Sequence, residues 1–342
     1  PDDVELWIDG RRSGFANRTI ELSALPHQIE LRKDGYAPYG PRTLTPQPGF
    51  TQEIKVRLLT FEEARLARLI PVIKTKLGQE LVLLSPSPIQ LGASRREPGR
   101  RANEVIRDVN LSRLFYLSKK EVTNAEYRQY EKNYSSGVFE EQDLDDDDQP
   151  VSRIEWEQAA LYCNWLSKLD NLAPFYLIES GRVTGADPSS LGYRLPTEAE
   201  WSWTARTVEG SDELLLFPWG RKLPPPDRHG NYADRSASNL VGRIIFGYND
   251  NYIASAPVGT YPATFRGIFD LGGNVAEWTH DFYEIPEPGK SLNPLGPREG
   301  DYHVIKGSSW MHGTVTDLRF SFRDYGTEGR PDLGFRIAKF AE

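Results

Sequence analysis

The chain has 342 residues, with 41 Lys and Arg against 49 Asp and Glu, a formal net charge of −8. That balance excludes general affinity for nucleic acid, and the sequence has no run of about 18 apolar residues of the kind that spans a bilayer. A single cysteine, Cys163, rules out an intrachain disulfide, while 8 Trp, 16 Tyr and 15 Phe suffice for a large core. Abundant Gly (29) and Pro (25) favour turns and irregular backbone over long helices. At roughly 100–200 residues per domain, two domains are expected. One cysteine suits the cytoplasm and equally a secreted bacterial protein that folds without disulfides. The chain opens at Pro1-Asp2-Asp3 with no Met and no signal peptide. It reads as a processed or truncated chain, which leaves an upstream membrane anchor open.

In the first sixty residues, Val4, Leu6 and Ile8 alternate with polar positions and Asp9-Gly10 supplies a tight turn, a hairpin signal. Ile20/Leu22, Ile29/Leu31 and Ile54/Val56/Leu58 repeat the two-residue period. The pattern predicts a small β-sandwich over residues 1–59. The run Val4-Glu-Leu-Trp-Ile-Asp-Gly10 followed by Ile29-Glu-Leu-Arg-Lys-Asp-Gly-Tyr36 resembles a PEGA domain. Such domains are found mainly in bacterial surface and envelope proteins. The resemblance implies either attachment to a partner or wall polymer, or a plain spacer. Residues 60–77 read as a linker helix: Thr60-x-x-Glu63 is a capping box, with Phe61, Ala64, Ala67 and Leu69 at helical spacing until Pro71 stops it.

Three further capping boxes, Thr123-x-x-Glu126, Ser152-x-x-Glu155 and Thr197-x-x-Glu200, predict short helices starting near residues 124, 153 and 198. On the second, Trp156, Ala159, Cys163 and Leu166 share a face, which places Cys163 in the core as an inert thiol. Glu140–Asp148 carries seven acids in nine residues and reads as a solvated loop, with loose Ca²⁺ binding or docking of a basic partner as the alternative. Pro224-Pro-Pro226 reads as a stiff surface segment. Arg95, Arg96, Arg100, Arg101 and Arg107 fall close enough for a local basic patch.

Several blocks of residues 78–342 follow one another in a characteristic order. They include Glu121-Val-Thr-Asn-Ala-Glu-Tyr127, Tyr193-Arg-Leu-Pro-Thr-Glu-Ala-Glu-Trp201, Phe217-Pro-Trp-Gly220, Gly272-Gly-Asn-Val-Ala-Glu-Trp278, Lys306-Gly-Ser-Ser-Trp-Met311 and Leu333-Gly-Phe-Arg-Ile-Ala338. This segment resembles the formylglycine-generating enzyme, or sulfatase-modifying-factor, family. The resemblance implies an α+β fold related to C-type lectins, rich in long irregular loops. The family's enzymes use two cysteines near the C-terminus, and those positions are His312 and Asp317 here. Imidazole and carboxylate do not replace a nucleophilic thiolate and soft copper ligand.

The resemblance also implies two structural Ca²⁺ sites. The first maps onto Asp270, the carbonyls of Gly273 and Val275, and Glu277. There, two carboxylates flank a Gly-rich turn that frees carbonyl oxygens, hard donors that suit the ion. The second maps onto Asn231, Tyr232 O, Asp250 and Tyr252 O. Around residues 307–325 the family has a peptide groove, which places Trp310, His312, Arg319, Arg323 and Tyr325 on a binding surface. The alternative for that stretch is a strand with its Phe residues in the core. The expected function is a non-catalytic binding or assembly component of the bacterial envelope, periplasmic or at the cell surface, with a protein, extended peptide or glycan as partner. The alternative is an iron- or copper-dependent oxidoreductase. In that reading the metal is held by His312 with His280, His303 or Asp317, and Ser309 matches a serine of the family's active site.

Overall fold

The structure, a computed structural model, describes residues 3–342. The chain falls into two compact units that meet between Ile70 and Pro71. In the first, strands Glu5–Ile8, Arg11–Phe15, His27–Arg32 and Tyr39–Leu44 form one antiparallel sheet, with the fourth strand at an edge. This corrects the expected sandwich, because no second sheet forms among the described residues of this unit. The alternating residues assigned to two further strands are left outside the sheet, with Ile20 and Ile54 exposed. The edge strand was hidden by its Gly40-Pro41. Proline lacks the N–H a central strand needs but is tolerated at an edge. A Cβ on Gly40 (φ +96°) would lie 2.4 Å from the Ile29 carbonyl. The Thr60 box forms as read, with Thr60 Oγ1 accepting from Glu63 N (3.1 Å) and Glu63 Oε2 from Thr60 N (2.9 Å), but its helix spans only Phe61–Leu66.

The second unit mixes small sheets, short helices and long loops. One four-stranded antiparallel sheet orders the strands Ala338–Phe340, Phe115–Ser118, Glu80–Leu84 and Val72–Lys74, so the end of the chain closes on its middle. A second orders Asp324–Gly326, His303–Lys306, Ala276–Phe282 and Leu333–Gly334, the last pair parallel. The boxes at Thr123 and Thr197 start the helices Asn124–Arg128 and Glu198–Arg206. The middle box does not form. Arg153 sits at φ 59°, which ends any helical path from Ser152, and the helix runs Trp156–Leu169 behind Glu155, whose N–H is accepted by Gln158. Cys163 on this helix is fully buried, and burial pushes its thiol pKa up, so little nucleophilic thiolate forms.

The core is held by buried arginine–glutamate pairs as well as by aromatic packing. Arg194 pairs with Glu200, Arg319 with Glu104, Arg323 with Glu198 and Arg336 with Glu277, each with two nitrogens on two carboxylate oxygens at 2.5–2.9 Å. Each pair makes two parallel charge-assisted hydrogen bonds, and further guanidinium donors go to backbone carbonyls, which together offset part of the cost of taking both charges out of water. The acidic run is not a free loop. Asp145 and Asp147 both bind Arg128, and Asp145 also accepts from Ser135 and Ser136.

Candidate functional site

The segment after the strand His303–Lys306 turns at Gly307 (φ +82°), where a Cβ would meet Trp201 at 3.1 Å. It then runs beside the 273–274 turn, with Gly273 N donating to Ser308 O (3.0 Å) and Trp310 N to Asn274 O (2.8 Å). This register buries Trp310 completely against Leu144, Ala254 and Val275. His312 stays half-exposed. Its Nδ1 accepts from Ser309 N at 3.0 Å, which leaves Nε2 as the outward nitrogen. Ser309 Oγ donates to Asp332 Oδ2 at 2.6 Å and lies 3.3 Å from His312 Nδ1. The order is therefore carboxylate–hydroxyl–imidazole. In a hydrolytic triad the carboxylate orients the imidazole, and here it does not. Asp317 Oδ1 accepts from Thr314 N (2.8 Å) and so caps its own turn.

Most of the expected binding surface is core. Trp310 and Arg323 are buried, and Arg319 reaches Glu97, Glu104 and the Gly99 carbonyl. The Arg319 Nη groups are taken up by Glu97, Glu104, Ser321 and the Gly99 carbonyl and its Nε is buried, so this guanidinium is not presented to a ligand. Of the five residues, only His312 and Tyr325 reach solvent, and Tyr325 stacks on Tyr283 with ring centroids 4.0 Å apart. The imidazoles do not converge either. His303 is sandwiched between Trp156 (3.6 Å) and Phe282 (4.1 Å), and His280 lies beside the Tyr176 hydroxyl. Burial holds both near a pKa of about 3. Among the described residues, no group of three or more His, Cys, Asp or Glu side chains could hold a metal.

The two expected calcium sets differ. Glu277 receives Arg336 Nε and Nη2, both at 2.7 Å, and Trp201 Nε1 at 2.8 Å. The positive charge a cation would bring is already present, and an ion there must displace the guanidinium. Asp270 is pushed up to about 6 by burial and accepts from Gly259 N (2.7 Å), and the neighbouring Glu121 is also raised by burial. The 270–277 set does not fit calcium as arranged. The 231–252 set does fit. Asn231 Oδ1 is buried with no hydrogen-bond partner. Asp250 accepts from the N–H groups of Tyr232 and Tyr252, both at 2.9 Å. Burial, with Asp234 beside it, pushes Asp250 up to about 7. Asp234, which the sequence reading missed, receives Asp250 N and Ser236. Two neighbouring buried carboxylates without a cationic partner, in a loop that also carries an orphaned amide oxygen, are short of positive charge.

Residues 68–341 match the family described as "Sulfatase-modifying factor enzyme 1-like domain". The chain belongs to this family. It is 32% identical to the formylglycine-generating enzyme of Bos taurus over 56% of this chain and 44% of that protein, so it spans under half of that relative's length. It is 26% identical to "Chaperone protein LppX" of Paenibacillus barcinonensis over 66% of this chain and 80% of that protein. Among solved structures, "Treponema denticola variable protein 1" superimposes with a TM-score of 0.60 at 22% identity, over 78% of this chain and 98% of that one. At that identity the likeness shows the fold alone. His312, tied to Ser309, and Asp317, capping a turn, are the two positions that the sequence resemblance sets against the cysteine pair of the family's enzymes.

Proposed function

We propose that this chain is a non-catalytic binding or assembly component of the bacterial envelope, built on the family scaffold and ordered by one calcium ion per chain. The observation that carries the reading is the state of the His312 and Asp317 positions. No thiolate is available, and the histidines that would replace it as metal ligands are dispersed, two of them in the aromatic core. Calcium would be held by Asn231 Oδ1, Asp250, Asp234 and the carbonyls of this loop, and would supply the missing positive charge. The same loop supports the surface around His312, since Ala233 N donates to His312 O at 3.0 Å. A relative whose name marks it as a chaperone supports association with another protein, and the envelope placement rests on the PEGA-like pattern. The test is elemental analysis of gently purified protein. The expected result is calcium near one per chain without iron or copper. Stoichiometric iron or copper, lost in His312→Ala, would overturn the reading.

A further inference from the structure

The segment that follows His312 forms one wall of an apolar notch of about 310 Å³. Val315 and Leu318 face Leu223, Ile244 and Ile245 across it. Ile245 and Leu318 are buried at its floor, while Phe246 at its rim is 90% exposed. A large aromatic ring left almost wholly in water beside an apolar recess marks an association site. The wall is fixed by the calcium-loop backbone, with Ile245 N donating to Ala233 O at 2.8 Å.

On the 221–249 side of the notch the charge is opposite in sign to that of the whole chain, while the 313–318 wall carries one acid, Asp317, whose Oδ1 accepts from Thr314 N. Lys222 and Arg243 are each one residue from a notch residue, and Arg221, Arg228 and Arg235 lie in the same loops; all five are exposed. None pairs with a carboxylate among the described residues. Between residues 221 and 249 the only acids are Asp227 and the buried Asp234. The recess suits one inserted side chain, and its cationic rim suits carboxylates on either side of it.

We propose that this notch docks an acidic segment of a partner protein, which inserts a bulky apolar side chain between Ile244 and Val315 while its carboxylates meet the Lys222 and Arg243 rim. This deepens the binding reading above and rests on it. A flat anionic bilayer fits less well, because Ile245 and Leu318 are buried, Ile244 and Val315 are half-buried, and the exposed apolar rim is limited to Phe246, Leu223 and Pro224.

The test uses a fluorescein-labelled peptide with a Leu-Phe pair between two Glu-rich flanks, read by fluorescence anisotropy against the full chain in calcium. The expected result is saturable binding that weakens with salt. It should weaken about tenfold or more in Phe246→Ser, a loss typical of removing an interface anchor. In Lys222→Glu/Arg243→Glu the expected result is loss of most of the salt dependence. No binding, equal binding of a Lys-flanked peptide, or an unchanged Phe246→Ser variant would overturn the proposal. So would co-sedimentation with phosphatidylglycerol vesicles in place of peptide binding. The two readings fail separately: peptide failure with calcium still present overturns the notch alone, and iron or copper in the metal analysis overturns the binding reading alone.

Discussion

The two loops that the family pattern marks for calcium solve the same electrostatic problem in different ways. At Glu277, three buried carboxylates gather around an arginine supplied by the chain itself, and Arg336 donates to both Glu277 oxygens. At Asp250, the carboxylates of residues 234 and 250 lie together, no arginine or lysine reaches them among the described ion pairs, and Asn231 in the same loop keeps a buried Oδ1 without a hydrogen-bond partner. Ligand spacing alone is the same kind of signal in both places. What separates them is whether the chain provides the counter-charge, which is decided by residues far away in sequence.

The largest effect expected from this contrast is at Arg336. Removing it in Arg336→Met leaves Glu277 buried and unpaired, which should cost about 3–5 kcal/mol in denaturant unfolding. The double variant Arg336→Met/Glu277→Gln should recover much of that loss. A single variant costing under about 1 kcal/mol would mean that another cation supports Glu277.

Next comes the pH dependence at Asp250. Its folded pKa is raised from 3.8 to about 7, so the native state holds a proton that the unfolded state has released. Without calcium, the contribution of Asp250 to stability should therefore be greatest below about pH 4 and fall as pH rises toward about 7, at up to about 1.4 kcal/mol per pH unit. Asp270 and Asp281 are raised in the same direction, so the part due to this loop is the part that Asp250→Asn removes. Calcium at 100 times its dissociation constant should add about 2.7 kcal/mol to the wild type and nothing to Asp250→Asn. A calcium shift that survives in the variant would place the ion elsewhere.

The smallest effects concern the two side chains closest to chemistry. His312→Ala loses one acceptor for Ser309 N and should cost about 1 kcal/mol without altering bound calcium. Cys163 should ignore a thiol reagent in the native protein and react only on unfolding, and fast native labelling would contradict its placement on the buried helix face.

What was legible in the sequence was mostly local. The capping pairs at Thr60, Thr123 and Thr197 lie within one turn, and they form. Ser152 failed through a neighbour, because Arg153 takes a left-handed conformation. The exposed roles assigned to Arg319 and Arg323 failed because their partners, Glu104 and Glu198, lie 215 and 125 residues away. An arginine in an alternating segment reads as surface until its carboxylate is found. Trp310 was misplaced for the same reason, since it packs on Leu144 and Val275, which no local period connects to it. Asp332 and Asp234 carry no spacing signal at all, and they enter only through Ser309 and Asp250.

In the proposed arrangement one loop takes calcium and the other substitutes an arginine for it. Equilibrium dialysis of the metal-stripped chain against labelled calcium tests it directly, on wild type, Asp250→Asn and Asp270→Asn. The expected result is about one calcium per chain, abolished by Asp250→Asn and retained by Asp270→Asn. Two ions per chain, or loss of binding in Asp270→Asn with retention in Asp250→Asn, would contradict it.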